Sequence, residues 1–114
     1  MKKLTKVLKA LSDPNRLRII KLLQLKTMCV CELQFSMELA QSSISKHLKI
    51  LEEADLVSAR KDGLWVNYSI CESPENPYAA DMLEKLDAWL KQNPAFDDIV
   101  KKAELADRLI ITRA

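Results

Sequence analysis

The chain has 114 residues, 48% of them hydrophobic and 30% charged, with a net charge of +2 and three cysteines. That length suits one domain with a modest core and falls short of most enzyme frameworks. No run of about 18 apolar residues occurs, so no membrane span is expected, and an odd cysteine count argues against a disulfide-stapled secreted scaffold. The opening MKKLTKVLKALSD is basic, but its apolar residues fall among lysines at helical spacing. A signal peptide needs an unbroken apolar stretch, so a cytoplasmic protein is expected. Charge is unevenly spread: residues 1–70 hold 12 Lys and Arg against 7 Asp and Glu, and residues 71–114 hold 6 against 9. A basic first part with an acidic tail suits a nucleic-acid surface followed by something else.

Glycine occurs once, at Gly63, and proline at four positions, which favours a mostly helical protein with short connections. Leu4, Val7, Leu8 and Leu11 mark a first helix with one buried face. It stops at SDPN, where Asp13 suits an N-cap and Pro14 the first position of a second helix. There Leu17, Ile20 and Leu23 or Gln24 share a face that Ile19 and Leu22 widen, so this helix should be central. A short third helix is expected from about Val30 to Glu38, with Leu33 and Met37 inward. A fourth, capped by Gln41 or Ser42, carries the stripe Ile44, Leu48 and Leu51. Two helices joined by a few residues, the second with a narrow apolar stripe, form a helix-turn-helix pattern.

Two β-prone runs then meet around Asp62-Gly63, a hairpin signal. In the second run Leu64, Val66, Tyr68 and Ile70 alternate with Trp65, Asn67 and Ser69, so one face can be buried. A hairpin directly after the recognition helix is a wing. After CESPENP come a helix with Met82 or Leu83, Leu86, Trp89 and Leu90, and another with Phe96, Ile99, Val100, Ala103 and Ile110. The expected fold is mainly α with a small β-hairpin. It is a single winged helix-turn-helix domain over 1–114, with an N-terminal helix at 1–12, the helix-turn-helix at 30–56, the wing at 57–70 and C-terminal helices at 77–114.

Opposite the Ile44, Leu48 and Leu51 stripe, at about 100° per residue, lie Ser42, Lys46, Lys49 and Glu53, flanked by Ser43, Ser45 and His47. Small hydroxyls at the helix start let the backbone approach a groove floor and bond bases or phosphates, while the lysines supply phosphate charge. Arg60 and Lys61, at the wing tip, are placed for adjacent backbone or minor groove. The plain alternative is a solvated helix face and turn, but helix, turn and basic wing together favour DNA. His47 lies nearer the apolar edge, where a packed or capping histidine competes on equal terms with a DNA contact.

The stretch TMCVCELQF places Cys29 and Cys31 one residue apart at the mouth of the third helix. On a regular helix two residues span about 200°, so the thiols would diverge. In extended backbone both point to one side, about 6.6 Å apart along the strand, and flexible Cβ arms can converge on one ion. The pair chelates well only if the first turn of the helix is unwound or the cysteines lie outside it. Two soft thiolates favour trivalent arsenic or antimony, cadmium, lead or Cu(I) over magnesium or calcium. The simpler alternative is that both are small apolar core residues, as free cysteines often are.

LSDPNRLRIIKLL, MCVCEL, QSSISKHLKILEEADLV and RKDGLWVNYSI, in this order over about residues 4–71, closely resemble the ArsR/SmtB repressors, bacterial winged-helix metal sensors. The resemblance implies a homodimer joined through first and last helices. It also implies binding to double-stranded inverted-repeat operator DNA until an inducer ion releases it, and no enzyme activity and no required cofactor. The acidic, apolar-striped helices beyond Pro77 fit the dimerising role. Glu38 and Asp55 stand where such proteins commonly have glycine, a left-handed position that aspartate tolerates. Arsenic-responsive members often carry C-V-C-D/E-L-C, and here Gln34 replaces the third thiol. Zinc-sensing members use histidines and carboxylates on the last helix. Asp97, Asp98, Glu104 and Asp107 are present, but the single histidine is His47, so no tail zinc site of that kind is expected.

Ligand softness together with the resemblance makes arsenite or antimonite the expected inducer at Cys29 and Cys31; a third ligand, if there is one, is Cys71 or an external small thiol, although Cys71 reads first as a packed structural residue. The expected switch is an unwound helix start that the ligand stabilises and the DNA-bound shape excludes. Three alternatives differ in class. One is a repressor that senses thiol oxidation, or cadmium or lead, through the same pair. Another is a small thiol enzyme, which the lack of C-x-x-C and of a phosphate-cradling glycine loop disfavours. The last is a metal buffer, which needs more than three thiols.

Overall fold

Asp13 starts the central helix. In the computed structural model, which describes residues 1–107, its Oδ1 accepts the Asn15 amide at 2.8 Å and the Arg16 amide at 3.1 Å. Pro14 takes the first position of this helix, α2 (Pro14–Leu25). Ile19, Ile20, Leu22 and Leu23 are all buried, as the widened face predicts. The buried Lys21 escapes an unpaired charge by donating Nζ to the Lys91 carbonyl at 3.2 Å, at the end of a later helix.

Before α2 lies α1 (Lys2–Leu11), which buries Val7, Ala10 and Leu11. Leu8, expected on the same face, is 49% exposed. One residue round from Val7 is a turn of about 100°, enough to carry it off the narrow line along which α1 meets its neighbours.

After α2 the chain runs extended through β1 (Met28–Cys29) and turns at once into α3 (Val30–Met37). Glu38 ends α3 in the left-handed region at φ 55, and its carboxylate receives Lys102 Nζ at 2.6 Å. The recognition helix α4 (Gln41–Glu53) follows, burying Ile44, Leu48 and Leu51 completely. Its N-cap is Ala40, one residue before the expected Gln41 or Ser42, because the chain is already helical at Gln41. Alanine supplies no capping oxygen, so the first amides of α4 keep their donors for an acceptor from outside. Asp55 leaves α4 at φ 62, the second left-handed position, and its Oδ2 accepts the Asn76 amide at 3.1 Å.

The wing is β2 (Val57–Asp62) and β3 (Trp65–Ile70). The two-residue turn is Gly63 and Leu64, one residue later than Asp62-Gly63, because Asp62 already pairs with Trp65. Gly63 has φ 59, which a residue without Cβ adopts freely. Leu64 is therefore 94% exposed at the tip and does not begin the buried face. β1, too short to show a period in the sequence, forms a third antiparallel strand in the order β1-β3-β2, with Met28 opposite Tyr68 and Cys29 opposite Asn67.

Two further helices follow, α5 (Pro77–Leu90) and α6 (Asp97–Leu105), joined through a 3-10 turn at Pro94–Phe96. Leu86, Leu90, Phe96 and Ala103 are buried. α5 packs against α1 and α2, whereas α6 packs chiefly against α3. Ile110, expected on the last helix, lies outside the described residues. Asn76 ties the start of α5 to the body: its Oδ1 accepts the Tyr78 amide and its Nδ2 donates to the Lys3 carbonyl. Among the described residues no helix is long and apolar enough to cross a membrane.

Burial raises the Asp13 carboxyl, but the amides of Arg16 and Asn15 and the nearby Arg16 and His47 charges outweigh it, so its pKa lies below the ordinary value. A depressed folded pKa means the stabilisation is complete above the unfolded value of about 3.9 and is lost as pH falls through the folded one. Asp13→Ala is expected to lower stability by about 1 kcal/mol in urea unfolding at pH 7. The gap from wild type should close progressively in acid below about pH 4.

Candidate functional site

Two candidate regions lie on and beside the helix-turn-helix. The first is the face of α4 turned from the core. Ser42, Ser45, Lys46 and Lys49 are exposed there, while Ser43 and His47 are half-buried on its flanks. His47 is held by α2: Arg16 Nη1 lies 3.2 Å from its Nδ1. The guanidinium only donates, so in the neutral ring Nδ1 is the acceptor and Nε2–H is left on the far side of the ring. Arg16 is itself fixed by its Nε donating to the Ala10 carbonyl at 2.6 Å. His47 is thus a positioned ring at the edge of the reading face. Sequence reasoning missed Arg16 as its partner, because a contact across 31 residues leaves no local trace.

Arg60 and Lys61 are both exposed, but on strand β2 short of the turn. Neighbouring strand residues point to opposite faces, so the two do not act side by side. Arg60 pairs with Asn67 and Lys61 with Val66. Arg60 therefore shares the outer face with Trp65, Asn67 and, across β3, Cys29. Lys61 shares the inner face with Val66 and Tyr68.

The second region is the cysteine pair. Cys29 has extended backbone, φ −90 and ψ 173, and Cys31 stands in the first turn of α3. The change from strand to helix between them brings the two Sγ atoms to 3.0 Å, a thiol–thiol hydrogen bond. The structure takes neither expected route in full: the first turn of α3 is intact, and of the two cysteines only Cys29 lies outside it. The helix start is anchored by the Cys29 amide donating to Glu32 Oε1 at 3.0 Å, half of a capping box whose other half points the Glu32 amide at the weak acceptor Cys29 Sγ. Burial pushes the Cys29 thiol up to about 12, with the Cys31 hydrogen bond and the Glu32 carboxylate adding to it, so Cys29 is a neutral thiol near pH 7.

Cys71 is not within reach of this pair. It follows β3, four residues beyond Asn67, the partner of Cys29, which is about 13 Å of strand. Its amide bonds the Leu56 carbonyl at 3.1 Å, at the foot of the wing. Among the described residues no three His, Cys, Asp or Glu side chains are grouped to hold a metal ion, the α6 carboxylates included. The two thiols instead open onto a cavity of about 350 Å³ lined by Val30, Gln34, Gln41, Leu64, Trp65, Val66 and Tyr68. Its wing residues could be found in the sequence only once β1 was seen to pair with β3.

A helix-turn-helix with a basic exposed face, a hairpin beside it and a helical body behind define a winged helix-turn-helix DNA-binding regulator of transcription. Residues 13–59 match the family described as bacterial regulatory protein, arsR family. The arsenical resistance operon repressor of Escherichia coli is 38% identical over 95 residues, 82% of this chain and 78% of the relative. The structure of reduced HlyU from Vibrio cholerae superposes with a TM-score of 0.65 at 32% identity, over 80% of this chain and 92% of that one. The homodimeric winged helix-turn-helix domain Mb0332 from Mycobacterium bovis shares the fold at a TM-score of 0.66 over 82% of each chain, at 22% identity. The chain belongs to the arsR family.

Proposed function

We propose that this chain is an operator-bound repressor released from DNA when a trivalent arsenic or antimony species, arsenite foremost, joins Cys29 and Cys31. One observation carries the reading: two thiols stand 3.0 Å apart at the junction of wing and helix-turn-helix. The pair fits the ion because both sulfurs already face the same side, and the name of the Escherichia coli relative ties that protein to arsenical resistance. In water arsenite is chiefly the neutral trihydroxide. Two of its As–O bonds are exchanged for As–S bonds, and each thiol proton leaves on a hydroxide as water.

On DNA, Ser42, Ser43 and Ser45 at the uncapped start of α4 meet bases and phosphates, and Lys46, Lys49, Arg60 and Lys61 meet phosphate. His47 offers Nε2–H beside them. Two copies present two such heads to the half-sites of an inverted repeat, about 34 Å apart. The support for a dimer is an apolar face left on adjoining α1 and α5, with Leu8 49%, Tyr78 40% and Trp89 61% exposed, together with the homodimeric fold relative. Release follows from connectivity. Cys29 belongs both to β1, paired with the wing, and to the start of α3, which packs on α4, so a ligand there shifts wing and reading helix against each other. This replaces unwinding of α3 as the switch.

Fluorescence anisotropy of the reduced protein on labelled DNA from upstream of its own gene tests the reading. Micromolar arsenite should release wild type and Cys71→Ser alike, and leave Cys29→Ser and Cys31→Ser bound. Release of the two serine variants would move the sensor elsewhere, and release by peroxide but not arsenite would make the pair a redox switch.

A pH series separates arsenite from cadmium or lead. A divalent ion must expel the Cys29 proton to solvent, so its affinity should rise about ten-fold per pH unit from that group alone, whereas arsenite condensation gives water and should be nearly flat between about pH 6 and 8. Lys46→Ala and Lys49→Ala should each weaken DNA binding across sequences and reduce the salt slope by about 1. An unchanged salt slope would remove that face of α4 from the interface. Trp89→Glu should shift the protein towards monomer in sedimentation equilibrium and weaken operator binding with it.

A further inference from the structure

We propose that Lys2, Lys6 and Lys9 form a third DNA-contacting element, which grips operator phosphates on the side of α4 opposite the wing. The inference rests on the operator-bound reading above and adds a surface that neither the reading helix nor the wing contains. The three lysines recur at four and three, so they fall within about 60° of one side of α1. All three are exposed, and the ten residues of α1 include no carboxylate. Like charges at these spacings weaken a helix unless an anion offsets them. Among the described residues none of the three makes an ion pair.

The stripe forms one wall of an open groove of about 620 Å³, lined also by Arg16 and, from α4, by Ile50 and Glu53. Glu53 is the one carboxylate there, against four basic side chains. The position of the groove identifies the anion. Gln41, which lines the cavity shared with the wing, and Ile50 are nine residues apart, or about 180° round the helix. The wing and the lysine stripe therefore flank α4 on opposite sides, with Lys46 and Lys49 exposed between them. A helix seated in a major groove about 12 Å wide has a phosphate ridge on each side. The wing stands towards one ridge, and α1 brings its lysines to the other. Flexible ammonium groups act there as point charges on the backbone and read no base.

Pairing of two copies fixes which ridge this is. Leu8, on the apolar face proposed to join them, lies about 120° from the midline of the stripe, so contact through α1 and α5 leaves the lysines uncovered. It also puts α1 on the inner flank of each α4 and the wing on the outer. Lys2, Lys6 and Lys9 of both copies then meet phosphates between the half-sites, adding affinity without sequence preference.

The test uses the full-length reduced protein on labelled DNA from upstream of its own gene. Anisotropy over a salt series compares wild type with the double variant Lys6→Gln, Lys9→Gln and with Lys3→Gln, which removes the same charge from α1 outside the groove. The double variant should make the salt slope shallower by about 1 for each lysine changed, and Lys3→Gln should leave it unchanged. Ethylation interference maps the phosphates. Those between the half-sites should matter for wild type and cease to matter for the double variant, while those beneath the wing matter for both. Sedimentation equilibrium should show the same dimer in all three proteins. A slope and a central interference pattern that the double variant leaves unchanged would overturn the inference and leave the operator-bound reading intact. An equal loss in Lys3→Gln would overturn it by making the effect one of net charge. A loss that comes only with dissociation of the dimer would assign the lysines to the contact between copies and overturn it too. Failure of wild type to bind the DNA at all would overturn both readings.

Discussion

Two residues of strand couple everything that matters here. Met28 and Cys29 pair with Tyr68 and Asn67 of the wing, and the next residue begins α3. Without that pairing, the wing would be a two-stranded hairpin resting on the helical body through Val57, Tyr68 and Ile70 alone. With it, the wing, the helix-turn-helix and the cysteine pair move as neighbours in one sheet-and-helix junction. The same junction fixes the thiol geometry, since convergence at 3.0 Å depends on Cys29 being extended while Cys31 is helical.

Chemistry then follows from the environment of that junction. A buried neutral thiol is poor at displacing protons for a divalent ion, but well suited to exchange with a neutral hydroxide of arsenic, where the proton has somewhere to go. Around it the cavity presents side chains from the wing end and the first residue of α4, and in the proposed mechanism ligand and operator compete for the arrangement of these residues. Lys102 on Glu38 adds a tie from α6 to the turn between α3 and α4. The C-terminal part of the chain thus steadies the reading head as well as supplying α5 to the apolar face beside α1.

Much of this was legible in the sequence because local rules dominate locally. Asp13-Pro14 wrote the start of α2 through capping and a fixed φ, and the Ile44, Leu48 and Leu51 stripe wrote the buried face of α4 through a 3.6 period. The single glycine marked the wing turn to within one residue. What escaped were features set by tertiary partners. β1 is too short to show a period and exists only because β3 lies beside it. Leu8 and Trp89 follow the apolar period of their helices yet stand exposed, since period reports a side and not what covers it. Ala40 replaced the expected polar cap where no polar signal marks the boundary. The cysteine pair was visible as a motif, but its convergence depended on where the helix began, and boundaries are the least local part of such a reading.

Arsenic K-edge X-ray absorption on the arsenite-loaded protein, reduced with a phosphine so that no external thiol is present, measures the central claim directly. The account predicts two sulfur neighbours and one light atom per arsenic in wild type and in Cys71→Ser, with the two-sulfur shell lost in Cys31→Ser. Three sulfur neighbours in wild type, or a two-sulfur shell that survives Cys31→Ser, would contradict it.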